Sequence, residues 1–495
     1  MTFKLSLIVA AAAGLAIGTS AIAAPTGSAV PLSNYTTGTT DVYLAGSSAV
    51  DLALTKFIAN TCVAGSLDTY RADAGGKTYY LWTCSTAAGS NFGLTSGNTK
   101  IAIHKNTNSS SDGVNAVANG AAALAYLQVA DLTTAAACPG SPTVVPATTT
   151  IPQYNVFTCG TTIGTTGTPP TTHVARFGFA DSEPAQFATS GAVVTQLTTV
   201  YPLTVIFGVP VSKNVRDALQ VAQGLTTGDR ESEANMPTLS SAQVNSIFTG
   251  NFATWADLGV TVASDNNIYV VRRSNGSGTT RAFNDTFIGE FCTPGNPGVV
   301  AGTAIVTSTL NTQCASGAAS ALQAGTSDDM AACVASFNTS GAGAIGYLST
   351  DYLPGTGDGY RWIKVDGYAP KQLNVVNGTW KDWSEESLNY NAKTKLAGDD
   401  AAFYNTLKAT SASPTLLSEI GKNLPQTTSG QWTGGILGAL PTSFNAWGIA
   451  AGASLTAGRT DASVLAYPAN PATRAGSKGY NLCLFPLPTS GFQAQ

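Results

Sequence analysis

Val270-Val271-Arg272-Arg273-Ser274-Asn275-Gly276-Ser277-Gly278-Thr279-Thr280 is a β-branched apolar run that enters a Gly/Ser turn and continues into helix-compatible residues. The first N–H groups of a helix have no partner within it, and its dipole favours negative charge there. Glycines let the backbone approach an anion closely. Ser277, Thr279 and Thr280 add hydroxyl donors, and Arg273 supplies a planar, permanently charged fork suited to oxyanions. Amides, hydroxyls and a guanidinium thus converge within a few residues. The same residues could also do no more than join a strand to a helix. A nucleotide P-loop is excluded, because G-x-x-x-x-G-K-[ST] needs a lysine that this loop lacks. In the one Gly-Lys-Thr, Gly76-Lys77-Thr78, Arg71 stands where the first Gly should be.

Working outward, the strand–turn–helix grammar recurs. Asp41–Ala45 predicts a strand, a Gly-Ser-Ser turn follows, and apolar periodicity predicts a helix from about Ala49 to Asn60. Lys100–His104 reads as a strand, Ser109–Asp112 as a polar turn with N-cap residues, and Gly113 onward as a helix. Leu203–Pro210 reads as a strand leaving a first lobe. Ser240–Phe248 then predicts a capped helix, Ile268–Val271 a buried strand, Thr280–Ile288 a helix and Ala344–Leu348 another strand. Helices return near Ala401–Ala409 and Pro414–Ile420, and the end from about Gly430 is rich in Gly, Ala and Thr. This rhythm predicts α/β lobes with largely parallel sheets. Cys62–Asn98 and residues 132–172 read as insertions, loops or small hairpins on the surface.

The chain has 495 residues, which suits two or three lobes. Only 11% are charged against roughly 25% in ordinary soluble proteins, and the net charge of -4 carries no basic run. Nucleic acid is therefore excluded as a partner. Lys4, the apolar run Leu5–Ile17 and Ala21-Ile22-Ala23 form the pattern of a secretory signal, residues 1–23, with cleavage after small residues. The run is shorter than the roughly 20 residues that span a bilayer, so a transmembrane segment is not expected in the mature chain. No Cys near that point suggests a lipid anchor, and a periplasmic or secreted location follows. Eight cysteines, none in C-x-x-C spacing, suit disulfides outside the cytoplasm rather than a zinc or redox site. Cys62–Cys84 and Cys138–Cys159 are the first pairings to expect, each closing a polar, turn-rich loop.

The Arg273–Thr280 loop resembles the signature loop of the periplasmic phosphate-binding proteins that feed ABC importers, the PstS-like substrate-binding proteins. Other segments resemble that family in the same order. They are Ala45-Gly46-Ser47-Ser48, Ser110-Ser111-Asp112-Gly113-Val114, Phe177-Gly178-Phe179-Ala180-Asp181-Ser182-Glu183-Pro184, Ile247–Trp255, Gly343-Ala344-Ile345-Gly346-Tyr347, and Val365–Trp380. The likeness covers roughly residues 41–390 with gaps, and only the Arg273–Thr280 motif is specific. It implies a two-lobed type II periplasmic binding protein (Venus-flytrap) fold with insertions and a C-terminal extension. After an N-terminal arm, 24–40, the first lobe would be 41–203 plus 380–495 and the second 204–379. The resemblance further implies that Ser48, the Ala49 amide and Ser110 donate to a phosphate or similar oxyanion from one lobe. Arg273, Ser277, Gly278 and Thr279 would donate from the other, and Asp181 would accept. An ABC permease is the implied partner, with no cofactor, no metal and no catalytic residue. Apart from the resemblance, Ser48 and Ser110 read as helix N-caps and Asp181 as a turn residue. Three positions depart from the family: Asn275 where it carries an Asp that pairs with the loop Arg, Ala180 where it carries Ser, and Asp112 where it carries Gly.

An enzyme would need a nucleophile, base or metal, and the sequence is poor in these. Its two histidines are His104, read as a satisfied loop-edge residue, and His173, read as solvent-facing in the Thr-rich insert. There is no G-x-S-x-G elbow. Asp328-Asp329 reads as a solvated helix start, and Trp362, Trp380 and Trp383 as core or interlobe packing rather than a sugar groove. Two other readings stand beside oxyanion capture: an exported structural or adhesive surface protein built on this fold, and a weak secreted phosphatase.

Overall fold

The computed structural model describes residues 28–417 apart from short internal stretches, and beyond them only short strands between 436 and 488. The expected signal, part of the N-terminal arm, Cys292, Cys483 and much of the segment Pro414–Ile420 lie outside the described residues.

The first lobe contains β1 (Thr39–Gly46), α1 (Asp51–Thr61), β2 (Asp68–Ala74), β3 (Lys77–Ser85), β4 (Lys100–Thr107), α2 (Ser110–Asn119), β5 (Tyr154–Cys159) and β6 (Phe177–Ala180). In β1, Val42 and Leu44 are buried and Asp41 is exposed, the alternation of a half-buried strand. Leu54, Phe57 and Ile58 stand at helical spacing on α1 and join the same core cluster as Val42 and Leu44. A long strand, β7 (Leu197–Gly208), then carries the chain out of this lobe. Pro202 cannot donate to the ladder, and the pairing register of β7 shifts between Val200 and Leu203.

The second lobe follows with β8 (Pro210–Ser212), α3 (Lys213–Ala222), α4 (Ser241–Phe248), β9 (Asp265–Arg273), α5 (Gly278–Phe283), β10 (Ala321–Ala324), α6 (Ser327–Ser340), β11 (Ala342–Gly346) and β12 (Tyr360–Trp362). Ser240 and Gln243 form a capping box at the start of α4. The return crossing is β13 (Trp383–Asn391), and α7 (Gly398–Ser411) packs back on the first lobe. The Trp380 indole donates to Phe207 O at 3.1 Å and Asp382 O at 2.9 Å, which ties the two crossings together. Trp362, Trp380 and Trp383 are all buried.

Among the described residues the first sheet has 12 strands and contains β7-β13-β6-β1-β4-β3-β2-β5 as its continuous centre. The second has six and contains β10-β9-β11-β8-β12. The first sheet is mixed, not largely parallel. β1 pairs β4 and β6 in parallel, but the β2–β3 hairpin and the crossings β7 and β13 enter antiparallel. The segment read as a surface insert, Cys62–Asn98, is likewise part of the sheet. Tyr70, Leu81 and Trp82 are buried, because β2 and β3 each offer an apolar face to the core. Residues 132–172 extend the same sheet edge through β5. Disulfides join Cys62–Cys84, Cys138–Cys159 and Cys314–Cys333. The strand Ile436–Ala439 pairs with β7, so part of the Gly-rich end adds to the sheet.

Candidate functional site

β1, β4 and β6 run parallel, so the loops after them emerge at one end of the first sheet; β9 and β10 do the same in the second. The carboxyl ends of parallel strands are where open α/β sheets place ligand sites. Gly46 has φ +114, and a Cβ there would lie 2.0 Å from Phe179 O. A Cβ on Gly113 would also lie 2.0 Å from that oxygen. Only hydrogen fits at either place, so the three first-lobe loops meet around one carbonyl, which also accepts from the Ser47 N–H at 3.0 Å.

Ser110 opens α2 after the N-cap Ser109, so it is not itself the cap. Its Oγ accepts from the Gly278 N–H at 3.1 Å and the Asp181 N–H at 3.3 Å. The Ser111 N–H donates to Gly276 O at 3.1 Å. A Cβ on Gly278 would lie 2.5 Å from both Asp181 Cβ and Ser110 Oγ. The two lobes are therefore closed on each other at this point. Arg71 reaches Asp328 at 2.5 Å and Gln186 reaches Asp285 at 3.0 Å across the same gap.

Arg273 ends β9 and is 2% exposed. Its Nη1 donates to Ser327 Oγ at 2.7 Å and Ser48 Oγ at 3.3 Å, and its Nη2 donates to Gly325 O at 2.9 Å. Its Nε has no partner. No acidic side chain lies within ion-pair distance of it among the described residues. The neighbouring Arg272 takes the role of loop clasp. It donates to Arg273 O at 3.0 Å, to Val300 O at 3.1 Å, and to Asn275 Oδ1. Asn275 is thus the partner of Arg272, and the guanidinium of Arg273 is left for the cleft. Ser277 and Thr279 are buried beside it, and Thr280 Oγ1 donates to Arg273 O at 2.9 Å.

Asp181 is 1% exposed, and its Oδ1 has no hydrogen-bond partner. Burial, resisted by contact with Glu386 and by the charges of Arg273 and Lys105, pushes its carboxyl up to about 6. Glu386, on β13, is pushed far above the usual carboxyl range by burial and then by Asp181. Lys105 is fully buried and held by Asp51 and Ser47 O. Burial also lowers the Arg273 guanidinium. A charge kept in so dry a place is strongly felt by anything that enters.

Of the residues picked from the sequence, Ser48, Ser110, Asp181, Arg273 and Gly278 come together through the contacts above. The Ala49 amide does not point free, because Ser47 Oγ accepts from it at 3.1 Å. Sequence reasoning missed Ser327, Gly325, Lys105 and Glu386. Thr326 caps α6 through the Asp329 N–H at 3.0 Å, so a T-S-D-D helix start was the available signal for Ser327. That start is not a solvated one: Asp329 is buried and Asp328 pairs with Arg71. His173 is not solvent-facing either. Its ring stacks on Tyr43 at 4.0 Å, and His104 stacks on the same tyrosine at 4.6 Å. Both histidines stay with Tyr43 and contribute nothing to the cleft.

Residues 33–411 match the model of the PBP superfamily domain. The chain belongs to the PBP superfamily. Its fold is accordingly that of the two-lobed periplasmic binding proteins, with mixed α/β lobes. The superfamily comprises solute-binding proteins rather than enzymes, which sets the phosphatase reading aside. Among solved structures, the chain is similar to a putative phosphate ABC transporter substrate-binding protein with bound phosphate from Clostridium perfringens. Identity is 15%, TM-score 0.43, and coverage 78% of this chain and 99% of that one. It is also similar to an ABC-type phosphate transport receptor from Vibrio cholerae, at 16% identity and TM-score 0.32, covering 50% and 79%. PstS from Borrelia burgdorferi matches at 9% identity and TM-score 0.33, covering 77% and 97%. Among the described residues no helix is long and apolar enough to cross a membrane, and no cluster of three or more His, Cys, Asp or Glu could hold a metal.

Proposed function

We propose that this chain is an exported binding protein that captures phosphate, or a related tetrahedral oxyanion, between its two lobes. The observation that carries this reading is Arg273, a buried guanidinium with no carboxylate within ion-pair distance among the described residues, together with the bare Oδ1 of Asp181, both buried where strand ends of the two lobes meet. Removing a guanidinium from water without a counter-charge is unfavourable, and an anion is the natural compensation. In the proposed complex Ser48, Ser110, Ser277, Thr279 and the Gly278 amide donate alongside Arg273, and Asp181 accepts; the Ala49 amide stays with Ser47 Oγ. Phosphate keeps a proton near neutral pH and sulfate does not, so an ionised Asp181 takes a hydrogen bond from the first and repels the second. Opening would use the paired crossings β7 and β13 as a hinge. An ABC permease in the bacterial envelope is the proposed recipient of the cargo, and a periplasmic or secreted location goes with that role.

Isothermal titration of the mature chain tests this. Micromolar or tighter phosphate binding is expected, on the order of -8 kcal/mol, with sulfate at least about 100-fold weaker. No heat with phosphate, arsenate or sulfate refutes it. One observation favours a second reading, a structural surface protein on the same fold. Ser110 Oγ takes up the Gly278 and Asp181 amides directly, which binds lobe to lobe. Absence of anion binding together with assembly or surface attachment of the purified chain would select that reading.

A further inference from the structure

Beside the anion site lies a carboxyl group that no part of the capture reading uses. Glu386 sits on the return crossing β13, where Ser387 stands opposite Ala180, so Glu386 lies next to Asp181. It is 0% exposed, and neither of its oxygens has a donor. The pairing of β13 with β6, which Asp181 directly follows, sets the two carboxyls in one dry site. Two carboxylates cannot hydrogen-bond each other, since both only accept. In a dry site they repel strongly, so the pair requires a proton on one of the two. The charged and titratable groups that bear on the pair are few. Lys105 attracts both, but its ammonium is already held by Asp51 and Ser47 O. Arg273 bears on Asp181, as do Asp51 and Asp351. Ser47 faces Glu386.

Where the shared proton rests decides what the cleft accepts. On Glu386, it is donated to one Asp181 oxygen, and Oδ1 remains an anionic acceptor for a P–OH. On Asp181, that side chain becomes a donor and welcomes an unprotonated oxyanion such as sulfate. The charge of Arg273 favours a negative charge on Asp181. We propose that Glu386 is the proton-holding positioning residue that keeps Asp181 ionised, and thereby sets the preference of the cleft for protonated oxyanions. This rests on the anion-site reading above.

The test uses the full mature chain, titrated with inorganic phosphate and with sulfate between pH 5 and 9. Wild type, Glu386→Gln and Glu386→Leu are compared. Gln keeps a permanent donor to Asp181, so phosphate binding and the preference over sulfate should stay within about threefold of wild type. Leu removes the donor, Asp181 takes up the proton itself, and the phosphate-to-sulfate preference should fall by at least about tenfold. A ligand-free readout covers the case in which Leu does not fold. The infrared carbonyl band of a protonated carboxyl should persist at pH 8 in wild type and vanish in Glu386→Gln. An unchanged preference in a folded Leu variant, or no such band in wild type, overturns the role of Glu386. Wild type that binds neither anion overturns the anion site itself, a result distinct from either of these.

Discussion

Replacing Arg273 with methionine should separate binding from stability. The guanidinium donates three hydrogen bonds, to Ser327 Oγ, Ser48 Oγ and Gly325 O, and has no carboxylate partner. Losing bonds to a charged group costs roughly 1.5–3 kcal/mol each. Against that stands the desolvation of a side chain only 2% exposed, several kcal/mol for a buried ion. Ser48 Oγ and Ser327 Oγ also keep each other, at 2.9 Å. The two sides nearly cancel, so the ligand-free stability of Arg273→Met should lie within about 2 kcal/mol of wild type. Phosphate binding has no such compensation. Two charge-assisted bonds lost to the anion amount to roughly 3–6 kcal/mol, or about two to four orders of magnitude in affinity. Thermal melts with and without phosphate read both quantities. At phosphate 100-fold above its dissociation constant, wild type should gain about 2.7 kcal/mol and the variant nothing. A variant that keeps the phosphate shift, or one that loses more than about 4 kcal/mol without ligand, refutes the reasoning.

Gly278→Ala places a Cβ 2.5 Å from Asp181 Cβ and Ser110 Oγ, atoms of the opposite lobe, so it should hold the cleft ajar without unfolding either lobe. Small-angle scattering should show a larger radius of gyration, and phosphate affinity should drop by more than about tenfold. Asp351 is pushed up to about 7 by burial, and its Oδ1 has no partner. The folded chain therefore holds that proton more tightly than the unfolded one, and the group lowers stability as pH rises from about 4 to 7. Asp351→Asn should stabilise the protein at pH 8 by an amount on the order of a few kcal/mol, with the gain gone near pH 4 in urea unfolding. Cys314→Ser opens a disulfide between residues 19 apart in sequence and should lower stability by about 3 kcal/mol, read as a fall in melting temperature.

The parts of this molecule that short-range chemistry governs were legible in the sequence. The strand before Arg273 and the glycine turn after it follow from β-branched residues and from the conformations only glycine adopts, so the loop was found where β9 meets α5. The helix over Asp51–Thr61 follows from Leu54, Phe57 and Ile58 at helical spacing. What long-range pairing governs was not legible. The β2–β3 hairpin looked like a surface loop because Thr, Tyr and Gly serve turns and strands alike; only pairing with β4 buries Trp82 and Leu81. Glu386 gave no signal, since a glutamate in a strand is ordinarily solvated. It becomes exceptional only because β13 lies against β6 with Asp181 alongside. Asn275 stood out as a departure from the family's Asp; its partner proves to be the nearby Arg272, which the sequence did not show.

Each half of the cleft is held by its own lobe. Three loops are locked around Phe179 O on one side, and Arg272 locks the loop on the other. Among the contacts that join the halves is a hydroxyl, Ser110 Oγ, with Ser48 and Ser327 beside it on Arg273. Hydroxyls can turn from accepting to donating, so each could exchange its present partner for an anion oxygen without leaving a buried group unpaired. Direct lobe-to-lobe bonding and anion-bridged bonding therefore draw on the same donors and compete. The affinity measured is the intrinsic one divided by the fraction of molecules in the competent arrangement. Weakening the direct bond at Ser110 while keeping the donors of Arg273 should therefore raise that fraction and tighten the proposed anion binding.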